Sequence, residues 1–151
     1  MGKLDGKVAV ITGAASGMGR ATAIRFAKEG AAVVVADLNS QGGEATISEI
    51  AATGGRAVFQ RTDVGAESDI KSLIDRAVKE YGRLDITYNN AGIGGATGRL
   101  TDINAEDWDK TFVILTRAVF LGIKHSIEPM RKAGGGSIIS TASVAGLKGA
   151  A

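Results

Sequence analysis

The segment TGAASGMG, residues 12–19, holds three glycines at a spacing that suits the binding of a phosphate group. It follows a short apolar run and precedes an amphipathic one, so it joins a predicted strand to a predicted helix. Glycine permits a sharp turn and removes side chains where a ligand or a neighbouring helix must approach the backbone. The N–H groups at the start of the helix then attract an anion such as pyrophosphate, unless the segment is only a turn. The candidate phosphate-binding residues are Gly13, Ser16, Gly17, Met18 and Gly19.

An acidic residue ends the second apolar run. Asp37 lies 20 residues after Gly17, where a carboxylate accepts hydrogen bonds from the hydroxyls of an adenosine ribose. The same charge repels a 2′-phosphate, and neither Leu38 nor Ser16 supplies the cation that such a phosphate needs. The pattern therefore predicts NAD(H) rather than NADP(H) as the nucleotide. A solvated acid at a strand end is the alternative for Asp37.

Two further segments follow later apolar runs. Asp63-Val64 follows the third run, and Asn89-Asn90-Ala91-Gly92 follows the fourth. Taken alone, the acid suits a helix cap, and the Asn and Gly residues suit a turn. Together with the glycine loop, the three segments resemble the short-chain dehydrogenase/reductase family, whose loop has the form Thr-Gly-x-x-x-Gly-x-Gly.

The resemblance implies roles for the later segments. Asp63 would reach the adenine amino group, and Val64 would help to wall the ring. Asn90, Ala91 and Gly92 would line the cofactor's path toward the nicotinamide ribose. The implied activity is hydride transfer between NAD(H) and a small alcohol or ketone. An S-adenosylmethionine-binding sheet would share the loop and the acid, but would leave residues 89–92 unexplained.

Only part of the family's catalytic set is found. The resemblance implies a Ser, a Tyr-x-x-x-Lys pair that transfers and tunes the proton, and an Asn on a long helix. Ser143 matches the serine, although a turn serine is the alternative, and Leu115 lies at the position of the Asn. No Tyr-x-x-x-Lys segment occurs in the 151 residues. We therefore expect a truncated enzyme chain that is inactive alone, or else a non-catalytic NAD(H)-binding module or decoy subunit.

Apolar runs alternate with amphipathic stretches along the chain and predict the elements that position these residues. Continuous runs suit strands that are buried on both faces. Right-handed crossovers with one change of direction then predict a Rossmann-like, doubly wound parallel α/β sheet with strand order 3-2-1-4-5. The predicted sheet belongs to one domain over residues 1–151 and stops after the fifth strand. The predicted strands are 7–11, 32–36, 56–61, 84–89 and 137–141, and the predicted helices are 17–29, 41–52 and 66–81.

Two features of the last segment carry expectations about packing. A long helix capped by Asn104 has an apolar face, which we expect to pack against the core and so to account for Leu115. The fifth strand would be an exposed edge with Ile138 and Ile139 uncovered, which predicts self-association. The predicted apolar face consists of Trp108, Phe112, Leu115, Val119, Ile123 and Ile127.

Composition excludes several other functions. The net charge is +2 without a basic cluster, which disfavours a nucleic-acid partner. The absence of cysteine and the single histidine, His125, disfavour a metal site. No apolar stretch is long enough for a signal peptide or a membrane span, so we expect a cytoplasmic protein without a membrane partner.

Overall fold

Five parallel strands form one sheet in the structure, a computed structural model that describes residues 2–147. The strands are β1 (Val8–Thr12), β2 (Ala32–Asp37), β3 (Arg56–Arg61), β4 (Ile86–Asn89) and β5 (Ser137–Ser140). The helices are α1 (Gly17–Lys28), α2 (Ser40–Ala52), α3 (Glu67–Tyr81), α4 (Ala105–Phe112) and α5 (Ala118–Lys132), with a short 3-10 helix at Val144–Gly146. The strand order is β3-β2-β1-β4-β5, which confirms the predicted doubly wound sheet.

The sheet separates two apolar cores. Successive side chains of a strand point to opposite faces, so the all-apolar runs of β1 and β2 contribute to both cores. One core packs against α3 and α5, and the other against α1 and α2. The first contains Val8, Val10, Ala32, Val34, Ala36, Leu73, Ile74, Ala77, Leu84 and Met130. The second contains Ile11, Ala14, Ala23, Ala27, Ala31, Val33, Val35 and Ile50.

Predicted boundaries of these strands and of α1 to α3 agree with the structure to within two residues, and local contacts explain where they end. Asn39 caps α2, because its Oδ1 accepts the Gly42 N–H at 3.0 Å. Gly30 follows α1 with φ +98°, the left-handed region that glycine favours. β4 starts at Ile86, two residues later than predicted. The preceding Asp85 accepts the Val8 N–H with its side chain at 3.0 Å, in place of a main-chain acceptor.

The prediction for the long helix is wrong in two respects. Asn104 does cap α4, but a π-helical turn at Val113–Arg117 separates α4 from α5. The predicted apolar face is also largely exposed instead of packed on the core. Its exposed members are Trp108 (45%), Phe112 (47%), Leu115 (41%), Ile123 (37%) and Ile127 (45%).

The buried face of α5 combines two large apolar residues, Leu121 and Met130, with small and polar residues. A Cβ at Gly122 would lie 2.1 Å from Asn89 Oδ1, so a larger residue there would force the Asn89 side chain of β4 to move. The hydroxyls of Ser126 and Thr87 form a buried hydrogen bond of 2.8 Å between the same two elements. The spacing of large apolar residues in the sequence favours a different face of the helix, since Gly122 and Ser126 add little to an apolar pattern. No helix within residues 2–147 is long and apolar enough to cross a bilayer.

β5 lies at an edge of the sheet, as predicted. Ile138 is half-buried against the first core, so it retains cover within this chain. Ile139 on the other face is 41% exposed. Self-association through this edge remains a prediction.

Candidate functional site

The carboxyl ends of the strands open into a cleft of about 1000 Å³, at the edge where parallel α/β sheets bind ligands. Of the candidate residues from the sequence, only Gly19 and Asp63 do not line it. The lining includes Gly13, Ser16, Gly17, Met18, Asp37, Leu38, Val64, Asn90, Ala91, Gly92, Leu115 and Ser143. One fold therefore brings together segments that lie far apart in the sequence.

Steric crowding explains two of the loop glycines. Gly13 leaves β1 with φ +67°, and a Cβ there would lie 2.9 Å from the Ala91 Cα. A Cβ at Gly19 would lie 2.2 Å from the carbonyl oxygen of Gly13, closer than any side chain permits. Gly17 differs, because it has φ +52° but no atom lies within 4 Å of the position that a Cβ would take, so its surroundings are open to the cleft.

The start of α1 presents hydrogen-bond donors to this open space. Within the described residues, the N–H groups of Gly17, Met18 and Gly19 have no protein acceptor. Ser16 precedes them without a side-chain cap, and no acidic residue lies in the first turn. The positive end of the helix is thus available to an anion. These free donors beside a glycine cradle fit the phosphates of a dinucleotide.

Backbone donors hold Asp37 in a fixed orientation. Its Oδ2 accepts the Ala15 N–H of the glycine loop at 3.0 Å, and its Oδ1 accepts the Asn39 N–H at 2.9 Å. A carboxylate oxygen has two acceptor sites, so each oxygen keeps one for a ligand hydroxyl. The neighbouring Leu38 is 51% exposed and carries no charge toward the ligand.

Asn90 connects β4 to the glycine loop. Its Nδ2 donates to the Thr12 carbonyl oxygen at 3.1 Å. The Thr12 hydroxyl oxygen in turn accepts the N–H groups of Asn90 and Ala91 at 3.0 and 3.1 Å. The turn at residues 90–92 and the glycine loop are therefore one hydrogen-bonded unit. Thr12 is the first residue of the glycine motif, but the sequence alone did not predict that its hydroxyl accepts these two N–H groups.

The Asp63 carboxylate serves the turn that leads into α3. Its Oδ1 accepts the Gly65 N–H at 2.8 Å, while its own N–H donates to Asp69 at 3.0 Å. This contact closes the turn and is not the helix cap weighed as the alternative from the sequence, because α3 begins after Ala66 without a side-chain cap. Val64 is 8% exposed and forms part of the cleft wall next to this turn.

The far end of the cleft holds the serine and the leucine of the predicted catalytic segment. Ser143 is exposed, and its Oγ accepts the Ala145 N–H at 3.2 Å, which caps the short 3-10 helix. Leu115 lies in the π-helical turn, with its Cδ2 3.3 Å from a Cβ position at Gly92. Leu115 therefore faces the cleft, and core packing does not account for it. Turns of this kind often occur at functional sites.

Comparison with known proteins identifies related chains. The sequence model of the short chain dehydrogenase family matches residues 7–151. The chain is 37% identical to a cyclohexanol dehydrogenase of Acinetobacter sp. (strain SE19), over 97% of this chain and 59% of that protein. It is 41% identical to a cyclopentanol dehydrogenase of Comamonas testosteroni, over 99% of this chain and 60% of that protein. It thus spans about three fifths of the length of these relatives.

Solved structures agree with this relationship. A levodione reductase superposes with a TM-score of 0.93 at 35% identity, over 98% of this chain and 58% of that one. An NAD+-bound xylitol dehydrogenase superposes with the same TM-score at 33% identity, over 98% of this chain and 57% of that one.

Proposed function

Because the chain belongs to the short-chain dehydrogenase family, we propose that its cleft binds NAD(H) in preference to NADP(H). The Asp37 carboxylate carries this proposal. It is anchored by the N–H groups of Ala15 and Asn39 and retains acceptor sites for two ribose hydroxyls. A 2′-phosphate at the same place would meet a fixed negative charge, and Leu38 offers no compensating cation.

The other segments have separate binding roles in this proposal. The N-terminus of α1 binds the pyrophosphate through the N–H groups of Gly17, Met18 and Gly19. Val64 walls the adenine, and Asp63 accepts a hydrogen bond from its amino group. The residues that line the path toward the nicotinamide ribose are Asn90, Ala91 and Gly92.

We propose that the reaction of this site is the interconversion of a small alcohol and its ketone. The bound nicotinamide supplies the hydride chemistry. Ser143, at the far end of the cleft, donates a hydrogen bond from its hydroxyl to the substrate oxygen and so orients it. The relatives named cyclohexanol and cyclopentanol dehydrogenase support an uncharged alcohol as substrate. Because these 151 residues contain no Tyr-x-x-x-Lys segment, we expect the chain alone to bind NADH without turnover.

A double substitution at Asp37 and Leu38, the residues proposed to lie at the ribose, tests the cofactor preference. Asp37→Ala with Leu38→Arg replaces a repulsive acid by a cation that pairs with a 2′-phosphate. A charge-assisted hydrogen bond contributes about 1.5–3 kcal/mol, so the NADPH/NADH affinity ratio should rise about 10- to 100-fold. Fluorescence titration with each reduced cofactor measures both affinities.

A matched control separates local contact from net charge. Asp75→Ala with Leu100→Arg changes the charge by the same amount at exposed positions outside the cleft lining. Its affinity ratio should remain that of the wild type. An equal rise in both double variants would show that overall charge, and not the ribose contact, sets the preference. Absence of NADH binding by the folded wild type would refute the proposal itself.

Leu115 favours a second candidate, a non-catalytic NAD(H)-binding module. An apolar side chain faces the cleft where the family has an asparagine that serves proton transfer. A chain that only binds the nucleotide has no need of that asparagine. Mixing the chain with NAD+ and cyclic alcohols and following NADH absorbance distinguishes the candidates, because turnover would exclude the module.

A further inference from the structure

A row of hydroxyl and amide groups joins the end of β5 to the glycine loop. The Thr141 Oγ1 lies 3.0 Å from the Tyr88 hydroxyl and 3.1 Å from the Asn90 Oδ1. The other end of the Asn90 amide, Nδ2, lies 3.1 Å from the Thr12 carbonyl oxygen and 3.5 Å from that of Gly13. The row thus runs from Tyr88 through Thr141 and Asn90 to the first turn of the loop.

The number of protons limits which bonds of this row form together. The Asn90 Nδ2 faces carbonyl oxygens, which accept only, so the Asn90 Oδ1 must face Thr141. The Oδ1 also accepts only, so this bond needs the single hydroxyl proton of Thr141. The Thr141 hydroxyl is also placed to donate to the Tyr88 hydroxyl oxygen, so Tyr88 and Asn90 compete for the same proton. The Thr141 hydroxyl therefore fixes the orientation of the Asn90 amide when it donates to Asn90.

That amide lies where it controls the shape of the nucleotide cradle. A Cβ on Gly13 would be 3.0 Å from the Asn90 Nδ2, and a Cβ on Gly19 would be 2.7 Å from it. The amide is therefore packed between the turn out of β1 and the first turn of α1. If it rotated, its oxygen would face the Thr12 carbonyl oxygen, and the loop would have to move away.

We propose that Thr141 is a positioning residue for the nucleotide site, acting on the glycine loop through Asn90, and that Tyr88 competes with Asn90 for the Thr141 proton. The inference rests on the proposed binding of NAD(H) in this cleft. Tyr88 does not line the cleft, and its half-buried ring packs against the core beside α1, so it acts only through Thr141. The same contacts tie the segment that carries Ser143 to the loop.

Variants that remove single hydroxyls test this role with little change of shape. Thr141→Val should weaken NADH binding about threefold, a small effect because water reaches this exposed group. Tyr88→Phe leaves the Thr141 proton to Asn90 and should not weaken binding. Thr141→Ser keeps the hydroxyl and should retain wild-type affinity. The double variant of Tyr88→Phe and Thr141→Val should bind about as weakly as Thr141→Val, because no proton is then left to donate to Asn90. Tyr81→Phe is the matched control, since the Tyr81 hydroxyl has no hydrogen-bond partner within residues 2–147.

Hydrogen exchange provides a readout that does not depend on the nucleotide. In the free protein, Thr141→Val should speed amide exchange at residues 12–20, whereas Tyr88→Phe, Thr141→Ser and Tyr81→Phe should not. Equal affinity and equal exchange in all variants would overturn the inference even if the wild type binds NADH. If the wild type binds no NADH but exchange responds as expected, the positioning role stands and the proposed function fails. If the Thr141 hydroxyl had only a general structural role, Thr141→Val would lower the melting temperature, and Thr141→Ser would not restore wild-type amide exchange at residues 12–20.

Discussion

Gly19→Ala should disable the nucleotide site by moving the start of α1. The added methyl carbon would lie 2.2 Å from the Gly13 carbonyl oxygen and 2.7 Å from the Asn90 Nδ2. The first contact is with backbone and falls more than 1 Å short of the 3.4 Å at which ordinary contact begins. Rotation of a side chain cannot relieve it, so the helix start and the turn after β1 must separate by about that distance.

Two opposing terms set the loss of stability. Forcing an extra methyl group into a packed site costs about 1–3 kcal/mol. Replacing glycine by alanine within a helix recovers up to about 1 kcal/mol. A net loss of about 1–2 kcal/mol corresponds to a fall in melting temperature of roughly 2–8 °C for a domain of this size.

Nucleotide affinity should fall further than stability. An N–H displaced by about 1 Å no longer forms its hydrogen bond to a phosphate oxygen, which contributes about 1.5–3 kcal/mol. The dissociation constant for NADH should therefore rise at least about tenfold. Gly94→Ala is the control, because it lies in the same cleft with no atom within 4 Å of the added carbon. A Gly19→Ala variant that melts and binds NADH like the wild type would refute the steric argument and the placement of the phosphates.

Two further predictions concern stability and association. Burial opposes ionisation of Asp85, but hydrogen bonds from Arg83, the Val8 N–H and Lys7 outweigh it and hold the pKa of Asp85 below its ordinary value of 3.8. The contribution of the ionised Asp85 to stability is then present above pH 3.8 and is lost as the pH falls through the folded-state pKa. Asp85→Asn should therefore lower the free energy of unfolding by about 1–3 kcal/mol at neutral pH and by less in acid. Urea unfolding that shows the same loss at neutral and at acid pH would contradict this prediction. Ile139→Lys should reduce self-association through the β5 edge, as measured by sedimentation velocity, whereas the control Thr101→Lys should not. A wild-type protein that stays monomeric at every concentration would contradict the predicted association.

The sheet was predictable because the apolar pattern of each strand agrees with the place of that strand in the fold. β1 and β2 are apolar at every position before their last residue, which suits strands covered on both faces. Parallel connections then leave few possible strand orders. The residues at the strand ends followed directly, because parallel strands place their carboxyl ends at one edge. Asp37 and Asn90 could thus be assigned to one cleft from their positions in the sequence.

The long helix was not predictable by the same reasoning, because side-chain size misled it. Hydrophobic periodicity identifies a face of large apolar residues, but α5 meets β4 through Gly122 and Ser126. The small residue Gly122 leaves room for the Asn89 side chain of β4, and small residues contribute little to such a pattern. Leu115 was assigned to core packing for the same reason. The π-helical turn around it has no sequence signal comparable to proline or glycine.

The two ends of the cleft differ in how firmly the fold holds them, and this difference bears on function. The glycine loop leaves β1, whose strand residues are all buried, and Asp37 and Asn90 each bind the backbone of that loop or of the strand end before it. Ser143, by contrast, follows an edge strand in a fully exposed segment, and the described side-chain tie between this segment and the loop is the Thr141 hydroxyl. Elements with few buried contacts open at low free-energy cost, whereas core elements open only near global unfolding. In the proposed function, the end of the cleft at the glycine loop is therefore preorganised for the nucleotide, whereas the segment of Ser143 is held by fewer contacts and opens at a lower free-energy cost.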